Sequence, residues 1–163
     1  MDADAKALLG ALIRGRSVAA LATLHDGRPF ASMIPYAVHV DAGGRLRFVT
    51  HVSRLSAHTR DMLAAPEACL LITAPEEGSL PQALPRVSLP VTATFVDPAD
   101  PEHDTLAAAY LGRFPHAADW FQLGDFSIVV LDPSSARFIA GFARALTLTP
   151  AQVAAAVAAP PRG

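Results

Sequence analysis

The chain has 163 residues, of which 52% are hydrophobic and 17% charged, with a formal net charge of −2. That composition fits one globular domain and excludes a disordered chain, and the charge gives no electrostatic case for nucleic acid as a partner. Lys6 is the single lysine against twelve arginines, so an arginine is not functional merely for being one, and Cys69, the only cysteine, excludes an internal disulfide.

Leu8, Leu9, Leu12 and Ile13 recur at helical spacing and predict a short helix over residues 3–14. "SVAALATL" (17–24) reads as a strand. "HDGR" (25–28) carries the Asp-Gly pair of a tight hairpin, and "PFASMIPYAVHV" (29–40) follows as a longer strand. Pro35 inside that strand cannot donate to a ladder, which predicts an edge, a bulge or a bend. "DAGG" (41–44) turns the chain into a third strand over 45–50, alternating in polarity.

A short helix is expected over 56–66, with Ser53 or Ser56 as its N-cap. "EACLLITA" (67–74) reads as a strand that buries Cys69 as an inert thiol, 75–85 as an irregular loop, and "RVSLPVTATFVD" (86–97) as a strand interrupted by Pro90. A helix opened by Pro101 lies within 98–115, a helical turn within 116–121, and the last two strands at 125–133 and 135–141. The tail carries a Thr149 cap and Pro150 before an Ala-rich helix that frays into "PPRG".

Six or seven short strands with a few small helices, and no regular alternation of the two, predict a mainly β (α+β) fold. Its form is an antiparallel barrel with peripheral helices, a domain over 1–148 followed by a helical tail over 149–163. The N-terminus carries acids where an export leader needs basic charge, and no apolar run approaches the ~20 residues of a membrane span. A soluble, cytoplasmic protein is therefore expected.

No metal site is expected: the six histidines show no helical i, i+4 pair. No G-x-S-x-G elbow or G-x-G-x-x-G fingerprint is present. The turn at 50–60 is the remaining place for chemistry. Thr50, Ser53, Arg54, Ser56, Thr59 and Arg60 gather hydroxyl and guanidinium donors at a helix start, which is what a phosphate requires. Composition alone favours a simpler reading in which a serine caps the helix and the arginines are solvated. "ASMIPYAV" one hairpin earlier shifts the balance, because a bulged strand can hydrogen-bond the edge of a flat heterocycle.

The order of "P-x-A-S-x-x-P" followed by "L-x-F-x-T-x-x-S-x-L-x-x-H-T-R" resembles the pyridoxamine 5′-phosphate oxidase-like, FMN-binding split-barrel superfamily. "YLGRFPHAADWFQLGDFSIVVLDPSSARFIAGFARA" (110–145) resembles its HugZ-like haem-utilisation branch. The resemblance implies a six-stranded split barrel, a homodimer with flavin at the subunit interface, and a small-molecule substrate. By position it implies the flavin ring along Ser32, Met33, Ile34 and Pro35, and its phosphate on Thr50, Arg54, Ser56, Thr59 and Arg60. His58 matches the motif histidine, while Trp120 and Arg144 would border the substrate pocket. Leu55 and Ser56 stand where the vitamin B6 oxidases carry Arg and Lys, so that reaction is not expected. The expected function is an FMN-dependent oxidoreductase, with haem binding or breakdown, or a non-catalytic flavin module, as alternatives. No histidine follows His116, so a haem ligand from the tail is not expected, while one such as His25 or His39 stays open.

Overall fold

The computed structural model describes residues 1–76 and 80–160, and part of the expected loop at 75–85 and the end of the frayed tail lie outside them. Nine strands and four α-helices follow one another in the order α1 (Ala3–Gly15), β1 (Val18–His25), β2 (Arg28–Pro35), β3 (Ala37–Val40), β4 (Leu46–Ser53), α2 (Ala57–Ala64), β5 (Glu67–Thr73), β6 (Arg86–Phe95), α3 (His103–Arg113), β7 (Phe126–Pro133), β8 (Ala136–Gly141), β9 (Arg144–Leu148) and α4 (Pro150–Ala158). Short 3-10 segments occupy Pro81–Ala83 and Pro115–Gln122.

The β1–β2 hairpin turns on Asp26 and Gly27, both with positive φ (50° and 73°), as a two-residue loop requires. The expected long strand over 29–40 is two strands, because the chain breaks at Tyr36 after the donor-less Pro35. This break decides the architecture. In hydrogen-bonded order the sheet runs β2-β1-β5-β6-β7-β4-β3, so β2 and β3 stand at its opposite ends although one residue joins them. The sheet must therefore curl round until its ends meet at Tyr36. No ladder closes the barrel there. Instead Thr50 Oγ1 on β4 donates to the Pro35 carbonyl at 2.8 Å, and the Tyr36 N–H donates to the Ser17 carbonyl at 3.1 Å.

Pro90 marks the second departure from a plain barrel. Residues 86–88 of β6 pair with β8, and 91–95 pair with β7, so the sheet forks at the residue that has no N–H to share. Among the described residues β9 pairs only with β8, and it lies beyond the last strand that the sequence predicts.

The main core fills the barrel with Leu21, Ile34, Phe48, Leu70, Leu89, Leu131 and Phe138. α1 and α4 lie across it together, contributing Leu9, Ile13, Val153 and Val157. The Tyr36 hydroxyl ties α1 down by donating to the Ile13 carbonyl at 2.8 Å. α4 begins with a Thr149–Gln152 capping box, and Arg14 of α1 donates to the carbonyls of Ala156 and Val157 near its end.

β4 departs from the alternation expected of it: every residue from Leu46 to Val52 is buried. Leu46, Phe48 and Val52 face the barrel, while the other face is covered by α3 and residues 115–122. That cover is pinned by Arg47, whose guanidinium donates to both carboxylate oxygens of Glu102 at 2.9 Å. Cys69 also departs from expectation. It sits half-buried on the outer face of β5 rather than in the core, and burial still pushes its thiol up, away from reactivity.

Candidate functional site

The seam where the barrel fails to close is a groove. Met33, Ile34 and Pro35 of β2 form one wall and His51, Val52 and Ser53 of β4 the other. Ser56 and His58 close one end, and Tyr110, Trp120 and Phe126 roof it, around a volume of about 330 Å³.

Its character is apolar and aromatic. The His51 ring stacks on Phe121 with centroids 3.9 Å apart and an interplanar angle of 11°, and Phe126 lies 4.9 Å away. Trp120 stacks on Phe126 at 6.5 Å. His51 is only 7% exposed, and burial, with a smaller repulsion from His103, pushes its pKa down to about 4. Burial also lowers that of His58, against a smaller opposing pull from Asp61. Both imidazoles are consequently uncharged at neutral pH. The Nδ1 of His51 is buried without a hydrogen-bond partner among the described residues.

The turn expected to grip a phosphate divides into committed and uncommitted donors. Thr50 is spent on the Pro35 carbonyl. The Ser53 hydroxyl donates to Asp125 Oδ2 at 2.7 Å and accepts from the Leu55 N–H at 3.1 Å. Thr59 is wholly buried on the inner face of α2, its hydroxyl uncommitted to any partner among the described residues but turned away from solvent. Asp125 therefore puts a carboxylate beside this turn, which repels a second anion. Ser56 is the N-cap by position, yet its hydroxyl makes no capping bond. Arg54 and Arg60 are exposed and carry no salt bridge among the described residues.

Of the other expected site residues, Ser32 lies on the inner side of β2, opposite Leu21 in register, its hydroxyl buried without a partner among the described residues. Arg144 is elsewhere: on β9 its guanidinium pairs with Asp2 at 2.6 Å.

A model of the pyridoxamine 5′-phosphate oxidase family matches residues 6–140. The chain belongs to that family. Among relatives, the chain is 33% identical over 121 residues to the chloroplastic heme oxygenase HOZ of Arabidopsis thaliana, covering 74% of this chain and 35% of that protein. A heme binding protein from Mycobacterium smegmatis superposes with a TM-score of 0.80 at 30% identity, covering 95% of this chain and 62% of that one. HutZ, the heme storage protein of Vibrio cholerae, superposes at 0.61 with 24% identity, over 72% of this chain and 82% of its own, a likeness of fold. The chain thus spans about a third of its plant relative and under two thirds of the mycobacterial protein.

His51, Val52, Tyr110 and Phe126 line the groove without standing among the residues that the sequence motifs point to. His51 sits inside the turn at 50–60 but is neither a hydroxyl nor a guanidinium donor. Tyr110 and Phe126 read as ordinary helix and strand residues, and only the fold carries them across the seam.

Proposed function

We propose that this chain is a haem-binding member of its family, holding a tetrapyrrole in the β2–β4 groove for storage or oxidative breakdown. The observation that carries the reading is the lining of the groove: apolar walls, an aromatic roof and two uncharged imidazoles, beside a turn in which the Thr50 and Ser53 hydroxyls are committed and Asp125 faces the anion position. Likeness to the mycobacterial and plant proteins supports the same ligand class. Haem, when bound, would supply iron-centred redox chemistry. The chain's part is to bind and shield: Met33, Trp120 and Phe126 offer flat apolar contact, the Thr50–Pro35 bond fixes the floor, and His51 and His58 present neutral ring nitrogens.

A second reading, FMN, is favoured by one specific set of groups. Ser56 at the start of α2 has an uncommitted hydroxyl, Arg54 and Arg60 flank it, and β2 is an edge strand with backbone groups facing no other strand. The visible spectrum of protein purified from haem-supplemented cells separates the two. An intense Soret band that weakens in Trp120→Ala/Phe126→Ala supports haem, and two broad flavin bands with no Soret band support FMN.

We further propose a homodimer. The outer face of β2, β1 and β5 sets Ala31 and Met33 against Ala22 and Ala20, and these against Cys69 and Leu71, with Leu24 and Pro29 at the rim and Glu67 as the charge at its edge. A solvated sheet face is normally polar, so a face of this kind is suited to a second copy. Met33, 63% exposed, belongs to both this face and the groove, so the partner would close the groove's open side.

A further inference from the structure

A second recess lies beyond the Tyr36 corner, where the C-terminal ends of α1 and α3 meet the start of β3. Ile13, Ala37, Val38 and Ala109 give it apolar walls around a volume of about 290 Å³. The end of α1 adds Arg14 and Arg16, the end of α3 adds Arg113, and no acidic side chain among the described residues lines it. It shares no lining residue with the β2–β4 groove.

The three guanidiniums differ in what holds them. Arg14 donates to the carbonyls of Ala156 and Val157 near the end of α4. Arg113 Nη2 donates to the Arg16 carbonyl at 3.1 Å. The Arg16 side chain has no such acceptor, and its Nε is buried without a hydrogen-bond partner among the described residues. None of the three is in a salt bridge among the described residues. The positive charges of Arg113 and Arg16 oppose the rise that burial imposes on the Tyr36 hydroxyl, so both act at the Tyr36 wall of the recess.

Arginine near a helix C-terminus is ordinarily explained by the macrodipole, and Arg14 and Arg113 lie in last turns. The magnitudes do not balance here. The ends of α1, α3 and α4 carry roughly −0.5 charge each, which offsets about half of three guanidinium charges. The remainder repel one another within one recess, and a buried guanidinium nitrogen without an acceptor is costly. An anion between Arg16 and Arg113 would relieve both.

We propose that this recess binds a small divalent oxyanion, a phosphate monoester or a dicarboxylate, on Arg16 and Arg113. Its carbon skeleton would lie against Ile13, Val38 and Ala109. Guanidiniums present paired N–H donors that match the oxygen pairs of phosphate and carboxylate, and two of them match the charge of a dianion. Arg14 adds its charge to the field while anchoring α4. The proposal does not depend on which cofactor occupies the groove.

The test is calorimetric titration of the full chain with phenyl phosphate, succinate and acetate at low ionic strength. The expected result is saturable binding of at least one dianion, one per chain, weakened by added NaCl, with acetate at least tenfold weaker. The tighter of the two dianions names the head group. Arg16→Met keeps the apolar stem and removes the guanidinium. That variant and Arg113→Met should each weaken the dianion tenfold or more, whereas Arg54→Ala/Ser56→Ala at the seam should leave it unchanged. In buffer without multivalent anions, Arg16→Met should unfold at a temperature no lower than wild type, because it relieves repulsion. The dianion should then raise the midpoint of wild type and not of the variant. Failure of wild type to bind either dianion, or binding indifferent to Arg16 and Arg113, overturns the proposal. Binding that depends on Arg54 and Ser56 instead also overturns it, and favours a phosphate at the start of α2. A destabilised Arg16→Met that still binds the dianion would make Arg16 a structural residue and overturn it as well.

Discussion

Lowering the pH should unfold this protein through His51 before its carboxylates are protonated. The ring is 7% exposed, stacked on Phe121 with Phe126 tilted beside it, and its Nδ1 has no partner among the described residues to share a second proton. Its folded pKa of about 4, against 6.5 in the unfolded chain, means that between those values the unfolded chain binds a proton that the folded chain refuses. Stability is therefore full above pH 6.5 and falls as pH drops toward 4. At 1.36 kcal/mol per pKa unit, that gap is worth roughly 3 kcal/mol, a large share of a typical domain stability of about 5–15 kcal/mol. Other groups act in recognisable windows. His58, also lowered by burial, adds in the same direction. His25, raised by its bond to Asp61, contributes stability that is present below pH 6.5 and lost as pH rises through its folded value, above that window. Asp61, lowered, contributes stability lost only as pH falls below 3.8.

The perturbation is His51→Phe, which keeps an aromatic partner for Phe121 and cannot ionise. At pH 7 its stability should stay within about 1.5 kcal/mol of wild type, since it also removes a buried unpaired nitrogen. Urea unfolding at half-unit steps from pH 7 to 4.5 provides the assay, read as midpoint shifts at constant m. Wild type should lose up to about 1.4 kcal/mol per pH unit more than the variant across that range. Equal slopes in the two proteins would refute the assignment of His51 as a buried neutral imidazole.

Three further outcomes follow from the same geometry. Arg54→Ala/Ser56→Ala should change haemin affinity less than about threefold, under ~0.7 kcal/mol, whereas FMN held at that turn would lose charge-assisted bonds of ~1.5–3 kcal/mol each; titration of both ligands reads the difference. Gly10→Ala should destabilise by about 1–3 kcal/mol despite its gain in helix propensity of up to ~1 kcal/mol. Its Cβ would run into the Ala156 backbone carbonyl where α1 meets α4, and the midpoint of thermal unfolding measures the loss. Ala22→Arg, at the centre of the apolar face, should convert a dimer to a monomer in light scattering without lowering the secondary-structure content; a dimer that survives would place the interface elsewhere.

How much could be read without the structure differed from element to element. Strand periods and the Asp26–Gly27 pair announced the β1–β2 hairpin, and the prolines announced breaks. They did not say that Pro35 is the corner where the two ends of one sheet meet, because that depends on the order β2-β1-β5-β6-β7-β4-β3. β4 alternates in polarity, yet Arg47 and His51 are buried, since α3 and residues 115–122 cover the second face with a salt bridge and a ring stack. β9 was hidden behind a turn in which Ala143 takes a φ of 58°, which nothing in an alanine signals. For the site, local motifs reached Met33, Ile34, Pro35, Ser56 and His58, and a second stretch reached Trp120. The resemblance that placed Arg144 in the pocket could not show its pairing with Asp2. The His25–Asp61 bond joins residues 36 apart, so no spacing rule could reveal it.

The central claim, a tetrapyrrole rather than a flavin in the groove, is tested most directly by parallel equilibrium titrations of the ligand-free protein with haemin and with FMN. Wild type and Trp120→Ala/Phe126→Ala would be run side by side. The account predicts saturable haemin binding that the aromatic variant weakens by at least tenfold, and FMN binding at least a hundredfold weaker than haemin. Saturable FMN binding that is sensitive to Arg54 and Ser56, with haemin binding indifferent to Trp120 and Phe126, would contradict it.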